Sequence, residues 1–235
     1  MKVVSMLKNK NLWLILSVLM TVSLGLFFEA TAAEKKMIIL LDPAHGGREK
    51  GLALTGDVYE KDITLAVALA IQKELATDAK MAVVLTRHKD ETMDLEDRRE
   101  IIEKSKPDFV MSLHVNGGFG KEAAGFEIYY PECGEKATAE KKTDKASKTN
   151  AQNKCQSDSL KMAKSVQENM GNLFPRKGRG LRKADLPVTE GMGIPAISVE
   201  MSFATNAEDK KKLLDAKTQA EIAKAMATSI KSFGR

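Results

Sequence analysis

A chain of 235 residues has room for one domain of ordinary size and can bury a sizeable core. Hydrophobic content of 43% and charged content of 29% are ordinary for a globular protein, while a net charge of +5 and a pI near 9.0 suit an anionic surface or polymer. Aromatic content is only 5%, and no stretch interleaves aromatics with Lys and Arg, which argues against nucleic acid as a partner.

The first residues read as a targeting segment rather than as fold. Lys2, Lys8 and Lys10 form a basic n-region, residues 12–28 an apolar h-region, and Ala30-Thr31-Ala32 an A-x-A cleavage site. That pattern predicts a secretory signal peptide over residues 1–33, with residues 34–235 as the mature domain. The competing reading is an uncleaved anchor, since the apolar run approaches the length of a short membrane span. The small residues that close the run favour cleavage, so no stable membrane insertion is expected and the working compartment lies outside the cytoplasm. The mature chain keeps two cysteines, Cys133 and Cys155, which in an oxidising compartment are expected to be bridged.

Met37-Ile38-Ile39-Leu40-Leu41 reads as a buried strand that Pro43 stops, and His45-Gly46-Gly47 follows it. Residues 51–56 read as loop. Ile63, Val67, Ile71 and Leu75 then recur at helical spacing, so Glu60 opens an amphipathic helix, where a carboxylate is also favoured by the helix dipole alone. A strand is expected over residues 81–86, then a helix capped by Asp94 that ends before Pro107. A third strand over 108–113 delivers His114-Val115-Asn116-Gly117-Gly118, and a fourth covers 125–130. Residues 132–157 are rich in Lys, Ala, Thr and Asp with few large apolar side chains, and read as a flexible Lys-rich insertion tied at its base by the cysteines. A helix carrying Met162, Val166 and Met170 follows, then a basic loop with Arg179 and Arg182. A last strong strand over 195–199 delivers Glu200, and a helix with Ile222, Met226 and Ile230 closes the chain. Strands alternating with helices at these lengths predict one α/β domain, a largely parallel twisted sheet of about six strands with helices on both faces.

The three histidines are His45, His88 and His114. His45 and His114 each stand just past the C-terminal end of a predicted strand, Glu200 stands at the same place on another, and Glu60 can reach that edge. Ligands gather outside the carboxyl ends of the strands in open α/β sheets. Two imidazoles and a carboxylate make the three-ligand set of a catalytic zinc site, and a second carboxylate can move a proton for the attacking water. The residues alone leave open which glutamate takes which role. His88, in a polar loop, reads as a surface histidine. There is no G-x-S-x-G elbow and no phosphate loop, and Cys133 lies in a segment too loose to hold a nucleophile. Gly46 and Gly47 are expected to keep the backbone bare beside the metal.

These residues come in an ordered set of blocks: Leu41-Asp42-Pro43-Ala44-His45-Gly46-Gly47, Glu60-Lys61-Asp62, Leu85-Thr86-Arg87, Ser112-Leu113-His114-Val115-Asn116, Gly125-Phe126-Glu127-Ile128-Tyr129-Tyr130 and Val199-Glu200-Met201-Ser202-Phe203-Ala204-Thr205-Asn206. The set resembles the zinc-dependent N-acetylmuramoyl-L-alanine amidases of the type 3 amidase family, over nearly the whole mature chain. The resemblance implies Zn2+ held by His45, Glu60 and His114, with Glu200 as general base, and cleavage of the amide between N-acetylmuramic acid and L-alanine in peptidoglycan. Ala44 stands where the family usually has glycine, and Thr189 where it usually has leucine. Many relatives carry a regulatory plug where this chain has its Lys-rich insertion, which makes a protein activator a candidate partner. Asn116, Arg179 and Arg182 are the expected substrate contacts, the arginines toward an anionic stem peptide. A monomer in a Gram-negative periplasm is expected, with the cell wall or the medium as second choice. The rival readings are another zinc peptidase acting on cell-wall peptides and a non-catalytic wall binder.

Overall fold

The computed structural model describes residues 35–133, 145–174 and 179–234, so the predicted leader lies outside the described residues. Strand β1 (Met37–Pro43) leads to a short hairpin, β2 (Ala53–Thr55) and β3 (Val58–Tyr59). Then come helix α1 (Glu60–Leu75), strand β4 (Met81–Leu85), helix α2 (Leu95–Ser105), strand β5 (Phe109–Asn116) and strand β6 (Glu127–Tyr130). Helix α3 (Lys145–Gly171), strand β7 (Leu181–Lys183), a 3-10 turn (Pro187–Thr189) and strand β8 (Ala196–Phe203) follow. Helices α4 (Ala207–Leu214) and α5 (Ala216–Phe233) end the fold.

Six strands form one sheet in the order β4-β1-β5-β8-β6-β7. Every pairing is parallel except β6 against β8, so the sheet is largely parallel as predicted. Successive side chains on a strand point to opposite faces. Ile39 and Leu41, Met111 and Leu113, and Ile197 and Val199 face one side, where they are buried with Val67 and Ile71 of α1, Met162 and Val166 of α3, and Ile222 and Met226 of α5. The opposite face takes the residues in between. There Leu40, Val110 and Ala196 form a smaller core with Ile102 of α2 and Leu186. Helical layers therefore cover both faces.

The thin face turns polar toward the C-terminal ends of its strands, because the in-between positions there are Asp42, Ser112, His114, Ser198 and Glu200. Registry then lines them up across the sheet. Asp42 pairs with Ser112, Ser112 with Ser198, and Ser198 with Tyr129; one step further, His114 pairs with Glu200 and Glu200 with Glu127. Two polar rows thus cross the strands at the edge where a ligand is expected.

Three local expectations are corrected. Residues 53–59 form the β2-β3 hairpin rather than plain loop, and Arg182, expected in a loop, lies on β7. The flexible insertion predicted over 132–157 is helical from Lys145 onward, while residues 134–144 lie outside the described residues. Its second half is rich in Lys, Ala and Gln, which are good helix formers, and Cys155 is buried beneath it, so local propensity and one anchored side chain outweigh the lack of large apolar residues. The expected Cys133–Cys155 disulfide is present and ties the end of β6 to α3.

Candidate metal centre

His45 follows directly on the polar end of β1 and adopts a left-handed backbone at φ 62°. A non-glycine residue there is strained, and the surrounding structure has to hold it. Two buried arginines do so. The Arg98 guanidinium donates to Asp42 Oδ1 at 2.6 Å, to the Pro43 carbonyl at 3.0 Å and to the His45 carbonyl at 2.7 Å. Arg87 donates to the carbonyls of Pro43 at 3.0 Å, Ala44 at 3.1 Å and Lys61 at 2.8 Å, tying the turn after β1 to the start of α1. Thr86 and Ser112 complete the shell of Asp42, donating at 2.7 and 2.6 Å. Burial pushes the Asp42 carboxyl upward, but the Arg98 charge and these hydrogen bonds outweigh it and hold the group below the ordinary aspartate range.

The two glycines after His45 serve a different neighbour from the one expected. A Cβ on Gly46 would stand 2.3 Å from the Glu91 carbonyl, and one on Gly47 would stand 2.2 Å from Thr92 Oγ1, so both glycines let the 87–94 loop close against the turn. The bare backbone beside the candidate ligands is that of Gly51, where a Cβ would stand 2.7 Å from Glu60 Oε2 and 2.7 Å from His45 Cδ2. Gly51 lies within the segment read as loop, and only its contact with two ligand residues marks it out.

Glu60, at the first position of α1, is 3% exposed. It is more than a dipole partner. Its Oε2 accepts from the Leu52 backbone N–H at 3.1 Å and its Oε1 from the Val115 N–H at 2.9 Å. His45 Nε2 lies 3.2 Å and His114 Nδ1 3.5 Å from the same Oε1. Burial raises the Glu60 carboxyl, yet the hydrogen bonds from His114, His45, Val115 and Leu52 win and keep it ionised far below the usual range. On the other side of the His45 ring, Nδ1 meets Glu49 Oε1 at 3.0 Å, which fixes the ring and leaves Nε2 as the inward nitrogen.

The ligand atoms of His45, Glu60 and His114 all lie within 4.8 Å of one another. Ligands about 2.1 Å from a tetrahedral ion stand about 3.4 Å apart, and the two contacts to Glu60 Oε1, at 3.2 and 3.5 Å, match that spacing. Two imidazoles with one carboxylate form a nitrogen–oxygen donor set that fits zinc. The residues therefore fit the ion. His88 is not in this group.

Glu200 stands beside His114 on the neighbouring strand. Its Oε2 is buried without a hydrogen-bond partner, and burial pushes its carboxyl up to about 7, with Glu60 and Glu127 adding repulsion and His114 opposing. A buried carboxylate oxygen left unpaired costs stability and is retained where chemistry needs it. A carboxyl that titrates near neutrality can both take and return a proton. A pocket of about 230 Å³ opens beside His45 and His114, with apolar walls from Met93, Leu95, Leu186 and Val188. Thr189 is buried in the 3-10 turn behind Val188.

The three expected substrate contacts converge on a residue that the sequence reading left without a role. Glu127 Oε2 accepts from Asn116 Nδ2 at 2.6 Å and from the Tyr129 hydroxyl at 2.9 Å, while Arg179 Nε and Arg182 stand 3.4 and 3.6 Å from Oε1. The signal was available in the alternation of β6, which puts Glu127 on the polar thin face.

Comparison with known proteins finds the same fold in N-acetylmuramoyl-L-alanine amidases. The catalytic domain of CwlV, an N-acetylmuramoyl-L-alanine amidase from Paenibacillus polymyxa, superposes with a TM-score of 0.65 at 26% identity, covering 84% of this chain and 97% of that one. Amidase AmiC2 of Nostoc punctiforme gives a TM-score of 0.68 at 25% identity, covering 85% and 98%. Amidase AmiC of Escherichia coli is 26% identical over 222 residues, 85% of this chain but 53% of its own length, so the chain spans about half of that relative. Residues 39–232 match the Amidase_3 family, described as N-acetylmuramoyl-L-alanine amidase, and the chain belongs to that family.

Proposed function

We propose that this protein is a zinc-dependent N-acetylmuramoyl-L-alanine amidase that works on peptidoglycan outside the cytoplasm. The observation that carries the reading is the convergence of His45, Glu60 and His114 on one point, next to a Glu200 oxygen that is buried and unpartnered. The three converging residues would hold the ion. When bound, zinc lowers the pKa of water toward about 7 and polarises a carbonyl. Glu200 takes a proton from the attacking water and returns it to the leaving nitrogen of L-alanine, which its raised carboxyl suits it to do. Asn116, Arg179 and Arg182 face the peptide. A signal peptide over residues 1–33 supports export, with the periplasm as its site of action.

Elemental analysis of the purified protein tests the metal half of this reading. One zinc per chain, lost with His114→Ala, is the expected result. A protein that holds no zinc and gains no activity when zinc is added contradicts it.

A further inference from the structure

Glu127 is 3% exposed, and a buried carboxylate needs partners. Four side chains supply them. A carboxylate offers about four acceptor positions; Asn116 and Tyr129 occupy Oε2, which leaves Oε1 for two guanidiniums. Each guanidinium carries five N–H donors in a rigid fork. The side chains of Arg179 and Arg182 are 50% and 49% exposed, and their nearest approaches to Glu127, 3.4 and 3.6 Å, are longer than good hydrogen bonds. Glu127 and the two arginines together thus carry one positive charge in excess, and the guanidiniums keep N–H groups that Glu127 does not take up.

Its place in the sheet sets what it can reach. Glu127 lies in the same cross-strand row as Glu200 and His114, two strands from His114, and Arg182 lies on the next strand, opposite Tyr129. Neighbouring strands are about 4.8 Å apart, so the cluster stands roughly 10 Å from His114. One extended peptide residue covers about 3.5 Å. A substrate with its scissile carbonyl at the ligands therefore carries its second residue about 7 Å along, into the span that the half-exposed arginine side chains cover.

We propose that Glu127 is a positioning residue that aims Arg179 and Arg182 at a free carboxylate on the second residue of the leaving peptide. The inference rests on the amidase reading above and narrows its substrate to stem peptides that carry this acid unmodified. The planar forks of two arginines match a carboxylate and gain little from the neutral amide of the same shape.

Two muramoyl peptides that differ in one group test it: one with D-isoglutamate after L-alanine, the other with D-isoglutamine. Hydrogen bonds to charged groups imply a preference of about 10-fold or more in kcat/KM for the acid, expressed in KM. Glu127→Gln and, separately, the half-exposed Arg182→Ala should bring the ratio toward one with zinc content unchanged. Because the ratio compares two substrates on one enzyme, any effect of Glu127 on the proton chemistry of Glu200 cancels. Equal kcat/KM on both substrates in the wild type, or a preference that survives in both variants, overturns the proposal while the amidase reading stands. Binding of the same two peptides to zinc-loaded Glu200→Ala, measured by calorimetry, separates the two ideas when turnover is absent. A tenfold preference for the acid there supports the subsite even if the wild type cleaves neither peptide, and equal affinities remove it.

Discussion

Glu200 and Asp42 are both carboxylates buried on the thin face of the sheet, yet they are opposite cases. Asp42 has a cation, two hydroxyls and full satisfaction, whereas Glu200 keeps an oxygen with no partner. The first arrangement holds structure, and the second is the one that the proposed proton transfer needs. Glu200→Ala should keep its zinc and lose about 10²- to 10⁴-fold in amide hydrolysis, measured with a muramoyl-peptide substrate; near-normal turnover would remove Glu200 from the role. Asp42→Asn should cost about 3–5 kcal/mol in denaturant unfolding, because it strands the buried Arg98 charge. Acid should act on the same group. The folded pKa of Asp42 lies below the roughly 3.9 of an unfolded aspartate, so its stabilisation is complete above that value and is lost as pH falls through the folded pKa. In a pH series of unfolding midpoints, Asp42→Asn should therefore fall less steeply than the wild type at the acid end.

At the scale of elements, the turn after β1 and the start of α1 are built as one unit. Arg87 and Lys61 stitch them, and Gly51 lets Glu60 and His45 meet. Gly51→Ala combines a left-handed backbone at φ +66° with a clash against Glu60 and His45, while Gly56→Ala meets only its φ of +47°, with open space around it. Zinc affinity should drop about 10- to 100-fold in the first variant and stay unchanged in the second, read by competition with a chelator. Much of this was legible in the chain. The runs from Met111 to Asn116 and from Ala196 to Ser202 alternate large apolar with small or polar residues, which is enough to place His114 and Glu200 on one face. Glu60 was found from its helix position, though not the two backbone N–H groups that fix it. What stayed hidden depends on contacts far apart in sequence. The approach of Thr92 to Gly47, the reach of Arg98 to the His45 carbonyl, and the gathering of Arg179 and Arg182 around Glu127 have no local pattern. The early start of α3 was missed for another reason, since low hydrophobicity says little about a helix anchored at one buried cysteine.

Over the whole molecule, one disulfide joins the end of β6 to α3 across residues 133–155. Closing a loop of that size stabilises the fold by about 3 kcal/mol in the chain-entropy model, so reduction should lower the melting temperature by roughly 6–12 °C. A pI near 9.0 gives the chain a bias toward an anionic polymer, and the arginine cluster puts some of that charge beside the site. The candidate metal ligands, Glu200 and the pocket stand at one edge of a single sheet, where the parallel strands end. The claim that this edge cleaves one particular bond is tested by digesting purified peptidoglycan with the zinc-loaded protein and identifying the new termini. Our account predicts new free amines on L-alanine, with intact muramic acid carboxyls and uncut cross-links; new termini within the cross-links, or none at all, would contradict it.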